Sequence, residues 1–427
     1  MIQFPVWAKN LTIYEVNVRQ YTPEGTFAAF REHLPRLKEM GAGILWFMPV
    51  QPIGKLNRKG TLGSYYSIAD YVSINPEFGT IKEFVELVDE IHSLGMYVIL
   101  DWVANHTAWD HIWTLQHPEY YLLENGKFKP PFDEWSDVIK LDYSNEKMRA
   151  EMVRSMFFWI EKAKIDGFRC DMAHLVPTDF WNAFSEKLFN KYPDKYMLAE
   201  TDHFDLLENA FHSSYDWKVF HSMNELAQRK ISAADLRNDI DEQLKWYPLH
   251  SSILRFISNH DENSWQGSEL HRLGLCLENM TVLYFTLPGI PLIYSGQEAG
   301  NDDSLPFFEK SEIDWKEDKM NGIIKMLISL RKENSVLWSG NFGGDFRFIE
   351  IPGTENLLVY TRSNGKKKLF VALNFSEEMK HITLNDSTLN GNYSLIPSGA
   401  DVIINAPFCL VVEPFKYRIF ISSENKN

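Results

Sequence analysis

Two hydrophobic rhythms share the first two-thirds of this chain. Apolar runs of strand length, Thr12–Val18 and Ile44–Val50, flank a segment with helical spacing, Thr26–Met40, which Gly41 and Gly43 close. Thr80-Ile-Lys-Glu83 has the form of a capping box, and Phe84, Val88 and Ile91 keep one helical stripe until Gly95 ends it. Met96–Leu100 follows as an unbroken apolar run, the pattern of a strand covered on both faces. Asn145 can cap a helix carrying Met148, Met152, Met156 and Ile160 on one side, which leads into a strand ending at Asp171. Tyr196–Ala199, Ile253–Ile257 and Pro291–Tyr294 predict later strands, and a sixth strand is expected near Ser214–Phe220. Strand and helix alternating at this rhythm build a parallel sheet, and eight such units close into a (β/α)₈ barrel.

Two regions break the alternation. Thr107–Leu141, between the third strand and the third helix, is long, aromatic and irregular, with a Pro130-Pro131 pair. After Leu337 a glycine-bearing stretch, with Gly340, Gly343 and Gly344, gives way to short β-type runs at Leu357–Thr361, Leu369–Asn374 and Tyr417–Ile421. The expected organisation is an α/β TIM barrel formed by 1–106 and 142–337. A short inserted domain at 107–141 follows strand 3, and an antiparallel β-sandwich occupies 338–427.

Composition narrows the partners. A length of 427 residues suits a barrel plus a smaller module. Aromatic content of 14%, with 13 Trp, exceeds what core packing alone demands; sugar sites stack on such rings, but large barrels also bury many. The net charge of −15 offers no basic stripe for phosphates, so nucleic acid is excluded as a partner, whereas a neutral substrate is indifferent to it. Cys170, Cys276 and Cys409 are odd in number and far apart, fitting neither a disulfide framework nor a CxxC metal site. The start of the sequence shows no basic region followed by an apolar run. The most apolar stretch, Met280 to Tyr294, is broken by Pro288, Gly289 and Pro291, so no membrane partner is expected. The chain reads as cytoplasmic, although removal of a leader would leave the same pattern. Oligomeric state is not legible.

Four stretches carry the chemistry: Asp101-Trp-Val-Ala-Asn105-His106, Gly167-Phe-Arg169-Cys-Asp171, Leu198-Ala-Glu200 and Ser258-Asn-His260-Asp261. Each follows or closes a β-type run and sets a carboxylate where a strand hands over to a loop. In a barrel those strand ends converge on one face. Carboxylates flanked by His and Arg at one pocket mouth are the equipment of a glycosidase. In order and spacing the set resembles the signature regions of the α-amylase family, glycoside hydrolase family 13. That family also carries a small inserted domain after the third strand and a C-terminal β domain.

The resemblance implies Asp171 as nucleophile, Glu200 as general acid/base and Asp261 as a third carboxylate that binds sugar hydroxyls. Residue pattern supports the first two independently. Asp171 lies two residues after Arg169, so both side chains enter the barrel mouth, where the guanidinium would keep Asp171 ionised. Glu200 follows Met197-Leu-Ala with no positive neighbour beside it, which would raise its pKa and hold a proton. By the same resemblance His106 and His260 hold the reacting sugar, Tyr66 is the aromatic platform beneath it, and Asp101 positions Arg169. His174 departs from the pattern: it aligns with a lysine, and Leu175 with a histidine, that contact the leaving-side glucose in many starch-cleaving relatives. Asn105 matches a side chain that binds structural Ca²⁺ in many relatives, or it holds its loop by hydrogen bonds; the other ligands would come from the inserted segment, around Asp110, Asp133 and Asp137. The chemistry itself requires no cofactor. The Pro52–Gly63 loop and Gly296-Gln-Glu298, with Asp302 and Asp303, are expected to rim the cleft.

The reading is a retaining hydrolase of α-1,4-glucosidic bonds in starch-like glucans or maltooligosaccharides. Its alternatives are a glucanotransferase or α-glucosidase of the same family and, further off, a catalytically inactive glucan-binding scaffold.

Overall fold

Eight short strands close into a barrel: β1 (Ile13–Val16), β2 (Ile44–Phe47), β3 (Tyr97–Trp102), β4 (Gly167–Cys170), β5 (Tyr196–Ala199), β6 (Ser213–Tyr215), β7 (Ser252–Arg255) and β8 (Ile290–Tyr294). Neighbours run parallel in the order β1-β8-β7-β6-β5-β4-β3-β2. This computed structural model describes residues 2–423 except Leu249 and Lys366. Alternation along each strand sorts the side chains into two layers. Ile13, Ile44, Trp46, Ile99, Leu198, Leu254 and Leu292 pack together inside the barrel. Tyr14, Leu45, Val98, Leu100, Phe168 and Met197 face the surrounding helices. Strands buried on both faces explain why the sequence shows apolar runs rather than polar–apolar alternation.

The helices start where the sequence marks them. Thr80 and Glu83 make both halves of a capping box at the head of Ile81–Ser93. Asn145 accepts from the backbone N–H groups of Lys147 and Met148 at the head of Glu146–Ala163, whose Met148, Met152, Met156 and Ile160 are all buried. Two expectations need correction. Thr26–Met40 is two helices, Phe27–Arg31 and Leu34–Met40, because Pro35 lacks an N–H and its ring displaces the preceding turn, so a new helix starts around it. The sixth strand ends at Tyr215 and not near Phe220, because the Asp216 carboxylate accepts from Val219 N at 3.2 Å and starts a helix, Trp217–Ala227.

The segment after β3 is more ordered than its sequence suggests. His106–Ala108 pairs antiparallel with Val138–Lys140, a second small hairpin joins Leu123–Glu124 to Lys127–Phe128, and a short helix spans Ile112–Gln116. Beyond Leu337 the chain forms antiparallel sheets, a six-stranded one and a two-stranded partner (Lys380–Leu384 with Phe408–Val412), as in a β-sandwich. This unit is bonded to the barrel's helices: Asn279 donates to Asn374 O at 2.7 Å, and Arg362 to Thr286 O at 3.1 Å. Among the described residues no helix is long and apolar enough to cross a membrane.

Thr80→Ala deletes one half of the capping box and should cost about 1 kcal/mol of stability, a typical value for losing such a cap. Urea denaturation should show the shift in midpoint at unchanged slope, and no shift would mean the box contributes nothing.

Candidate active site

The site is the next layer up from the barrel interior. Glu15 on β1, Asp101 on β3 and Arg169 on β4 share the parity of the interior residues, and Glu200 lies two residues beyond Leu198 of β5. Asp101 and Arg169 are direct partners in the β3–β4 register. Arg169 is fully buried. Its Nη1 donates to Asp101 Oδ1 at 2.8 Å and to Asp171 Oδ1 at 3.2 Å, and its Nε to the Tyr215 hydroxyl at 3.1 Å. Nη2 sits 2.7 Å from Glu200 Oε2 as an ion pair, out of line for a hydrogen bond. Glu200 Oε2 also accepts from Met172 N at 2.8 Å, and Met172 takes a left-handed backbone conformation (φ 40°) to present that N–H. One guanidinium therefore fixes three carboxylates. Asp171 Oδ2 is left out, a buried oxygen with no hydrogen-bond partner on a residue that lines the pocket.

This sharing corrects the electrostatic expectation for Asp171. Burial first, then the Glu200 carboxylate, push its pKa well above the ordinary aspartate range, and Arg169 only partly offsets them. A cation divided among three anions cannot fully compensate any one of them. The Glu200 anion thus acts directly on the Asp171 carboxyl.

A second chain of contacts starts at Glu15. His260 donates through Nδ1 to Glu15 Oε1 at 2.5 Å and through Nε2 to the Tyr66 hydroxyl at 2.7 Å, with Asp261 Oδ2 at 3.3 Å. The Tyr66 hydroxyl donates in turn to Asp101 Oδ2 at 3.0 Å, where Trp46 Nε1 also donates at 3.2 Å. Burial alone would lower the His260 pKa, but Asp261 and Glu15 outweigh it and hold the ring well above the usual histidine range, as an imidazolium. Burial works against the Asp261 anion too, yet His260 and then Arg169 keep its pKa below normal. Glu15, Trp46 and Tyr215 were missed in the sequence reading. Glu15 carries a usable signal, a lone carboxylate inside an apolar strand, whereas Trp46 and Tyr215 look like core residues.

The remaining candidates divide. His106 lines the pocket over Trp135 (ring centroids 5.5 Å apart), and burial lowers its pKa to about 3, so it is neutral. Tyr66 lines the pocket, its ring stacked on His260 at 5.3 Å. Neighbouring Tyr65 points elsewhere, donating to Asn17 Oδ1 at 2.9 Å with Arg19 stacked on its ring. His174 is exposed, outside the pocket lining, and stacks on His203 at 5.1 Å. Gly296-Gln-Glu298 does not rim the cleft. Glu298 is buried behind β1, where it accepts from the Tyr14 hydroxyl at 2.7 Å and from Arg36 at 2.8 Å. The rim is instead Lys59 and Trp135 on one side and Trp265, Phe307 and Phe308 on another, around a cavity of about 290 Å³.

The Asn105 side-chain amide donates to His106 Nδ1 at 3.2 Å, and its backbone carbonyl accepts from Leu141 N at 3.2 Å. Asp110 accepts the backbone N–H groups of Lys55 and Leu56, and Asp137 pairs with Lys59 at 3.1 Å. Among the described residues no three His, Cys, Asp or Glu side chains are grouped to hold a metal. Two of the three aspartates expected around such a site, Asp110 and Asp137, are thus engaged elsewhere.

A parallel barrel with clustered carboxylates around one arginine at the C-terminal ends of its strands defines a class of sugar-processing enzymes. The sequence agrees. Residues 12–340 match the family model described as "Alpha amylase, catalytic domain", and the chain belongs to the α-amylase family. It is similar to a crystal structure of an α-amylase from Lactobacillus plantarum (28% identity, TM-score 0.88, covering 97% of this chain and 99% of that one). It is similar also to the noncanonic maltogenic α-amylase AmyB from Thermotoga neapolitana (31% identity, TM-score 0.88, covering 97% and 98%). Alpha-amylase MalA of Haloarcula japonica is 24% identical over 413 residues, which are 90% of this chain but 58% of that protein.

Two measurements test the geometry. The carboxyl ¹³C resonance of Asp171 should titrate at lower pH in Glu200→Gln than in the wild type, because the substitution removes the anion that helps hold its pKa up; an unmoved midpoint would break the coupling. Tyr66→Phe should cost about 1–3 kcal/mol, because Asp101 and His260 both lose a buried partner. Tyr65→Phe, which removes a hydroxyl outside this network, should cost less, about 1 kcal/mol; equal losses would show that the Tyr66 network carries no special weight.

Proposed function

We propose that this chain is a retaining glycoside hydrolase that cleaves α-1,4-glucosidic bonds in maltooligosaccharides or starch-like glucans. The observation that carries the reading is that Asp171, a residue lining the pocket, has one carboxylate oxygen held by Arg169 and the other, Oδ2, without a hydrogen-bond partner. An oxygen left free in a buried site is a nucleophile with no hydrogen bond to break before it attacks. Glu200 is held on the same guanidinium and on Met172 N, within the same cavity.

In the first step Asp171 Oδ2 attacks the anomeric carbon as the bond to the leaving oxygen breaks, and the proton of Glu200 passes to that oxygen. The sugar is then an ester of Asp171. In the second step Glu200, now a carboxylate, takes a proton from water, the water oxygen bonds to the anomeric carbon and the ester bond breaks. Both residues return to their starting states, and two inversions leave the α configuration.

The other side chains act by binding. Tyr66 supplies an apolar face under the ring, with neutral His106 beside it, while cationic His260, whose two N–H groups are taken by Glu15 and Tyr66, holds that face in place. Anionic Asp261 accepts from them and favours the positive charge that develops at the anomeric centre. Asp101 works through Arg169. Exposed His174 and His203 lie after β4 and β5, beyond Glu200, where the leaving sugar departs. The similarity to an enzyme described as a maltogenic α-amylase supports α-glucans as the substrate class.

Incubation with maltooligosaccharides and soluble starch, followed by sugar analysis, tests the activity; products longer than the substrate would make the enzyme a transferase on the same intermediate. Proton NMR in the first minutes should show the α-anomer, and a β-anomer would overturn the double displacement. Asp171→Asn should lose about three or more orders of magnitude in kcat/KM. Activity within about tenfold of wild type would remove Asp171 from the nucleophile role.

A further inference from the structure

The 52–63 loop, between β2 and Tyr66, is braced from three directions. Within itself, Arg58 donates across the neck to Gly54 O at 2.8 Å and Ile53 O at 3.1 Å. Towards the segment after β3, Lys59 Nζ donates to Glu134 O at 2.5 Å and pairs with Asp137, while the Asp110 carboxylate takes the Lys55 and Leu56 N–H groups. Towards the segment after β8, Thr61 donates to the Glu309 carboxylate through both its backbone N–H and its hydroxyl, and Leu62 N donates to Phe308 O at 3.1 Å. Gly60, in the left-handed region at φ +62°, packs so closely that an added Cβ would meet Phe308 Cβ at 2.5 Å. Three segments that follow different strands are thus joined into one continuous wall.

The wall has a definite side. In the barrel order β8, β1, β2 and β3 are consecutive, and β5, which ends at Glu200, stands across from β1. A proton donor marks the leaving side of a glycosidase. The leaving part of the chain therefore passes Glu200 on the β4–β5 side, towards exposed His174 and His203. The retained part, which ends at the non-reducing terminus, runs the opposite way and meets the wall. What lies between is small: about 290 Å³, at the bottom of the range of about 300–1,000 Å³ typical of ligand pockets. Phe307, 6.1 Å from Tyr66 and nearly parallel to it, narrows that end further.

We infer that the enzyme is exo-acting: it seats the non-reducing end of an α-glucan against the wall built on the 52–63 loop and releases one or two glucose units per cleavage, with Lys59 as the latch that holds the wall shut. This rests on the glycosidase reading above and adds its mode of action. Interior bonds of a long chain cannot reach Asp171, because the chain would have to continue through the wall. Lys59 determines specificity and has no part in bond breaking.

Two forms of one substrate test it: maltoheptaose labelled at its reducing end, and the same compound with its non-reducing end capped by an ethylidene acetal. Wild-type enzyme should shorten the uncapped chain by one or two units first, and should cleave the capped chain at least about a hundredfold more slowly. A broad spread of early labelled products, or equal rates on the two forms, would overturn the inference while leaving the glycosidase reading intact. No cleavage of either form would sink the glycosidase reading and this inference with it. Lys59→Ala should raise the capped-to-uncapped rate ratio at least about tenfold at a melting temperature near wild type. An unchanged ratio in that variant would remove Lys59 from the latch role.

Discussion

Arg169 is the interaction on which the site depends. Its guanidinium is fully buried and meets Asp101, Asp171 and Glu200 at once. Taking these charges out of water costs several kcal/mol per ion, and the arrangement persists only because nearly every lone pair and N–H is answered. Asp101 is answered by Arg169, Tyr66 and Trp46, and Glu200 by Arg169 and Met172. Of the exceptions, Arg169 Nη2 and Asp171 Oδ2, the second is where the proposed chemistry happens. Burial and the excess of anions over this cation hold the Asp171 pKa up, and the barrel supplies the rigidity that keeps the anions together.

The second cation answers the same excess from the other side. Glu15 and Asp261 keep His260 charged, and its contact with the Tyr66 hydroxyl ties the two networks together through Asp101. Tyr66 therefore lines the pocket at an orientation that its hydroxyl bonds fix. Rim residues obey a different constraint. They come from loops, and their placement depends on bonds between segments far apart in sequence, such as Lys59 with Asp137 and Thr61 with Glu309.

How much was legible in the sequence varies with the range of the physics. The capping box at Thr80 and the Asn145 cap depend on neighbours three residues away, and both helices start there. The apolar runs gave the barrel, because strands covered on both faces have a pattern that little else produces. Local cues also misled where one strong residue overrode a run. Pro35 split a helix and Asp216 cut a strand short.

The sequence by itself determined the barrel, the parity that sends Arg169 and Asp171 into one mouth, and the family to which the chain belongs. These follow from alternation along a strand and from short motifs, both of which are local. Only the tertiary structure decided the rest. It made Glu15, separated from His260 by 245 positions, the partner of that ring. It moved Glu298 from an expected rim to a buried contact with Arg36 and Tyr14, and it left Asn105 bonded to its own loop. It also set the direction of the Asp171 titration, because a pKa depends on every charge within reach and on the water excluded. Both quantities come into being only when eight strands bring distant residues to one end of the barrel.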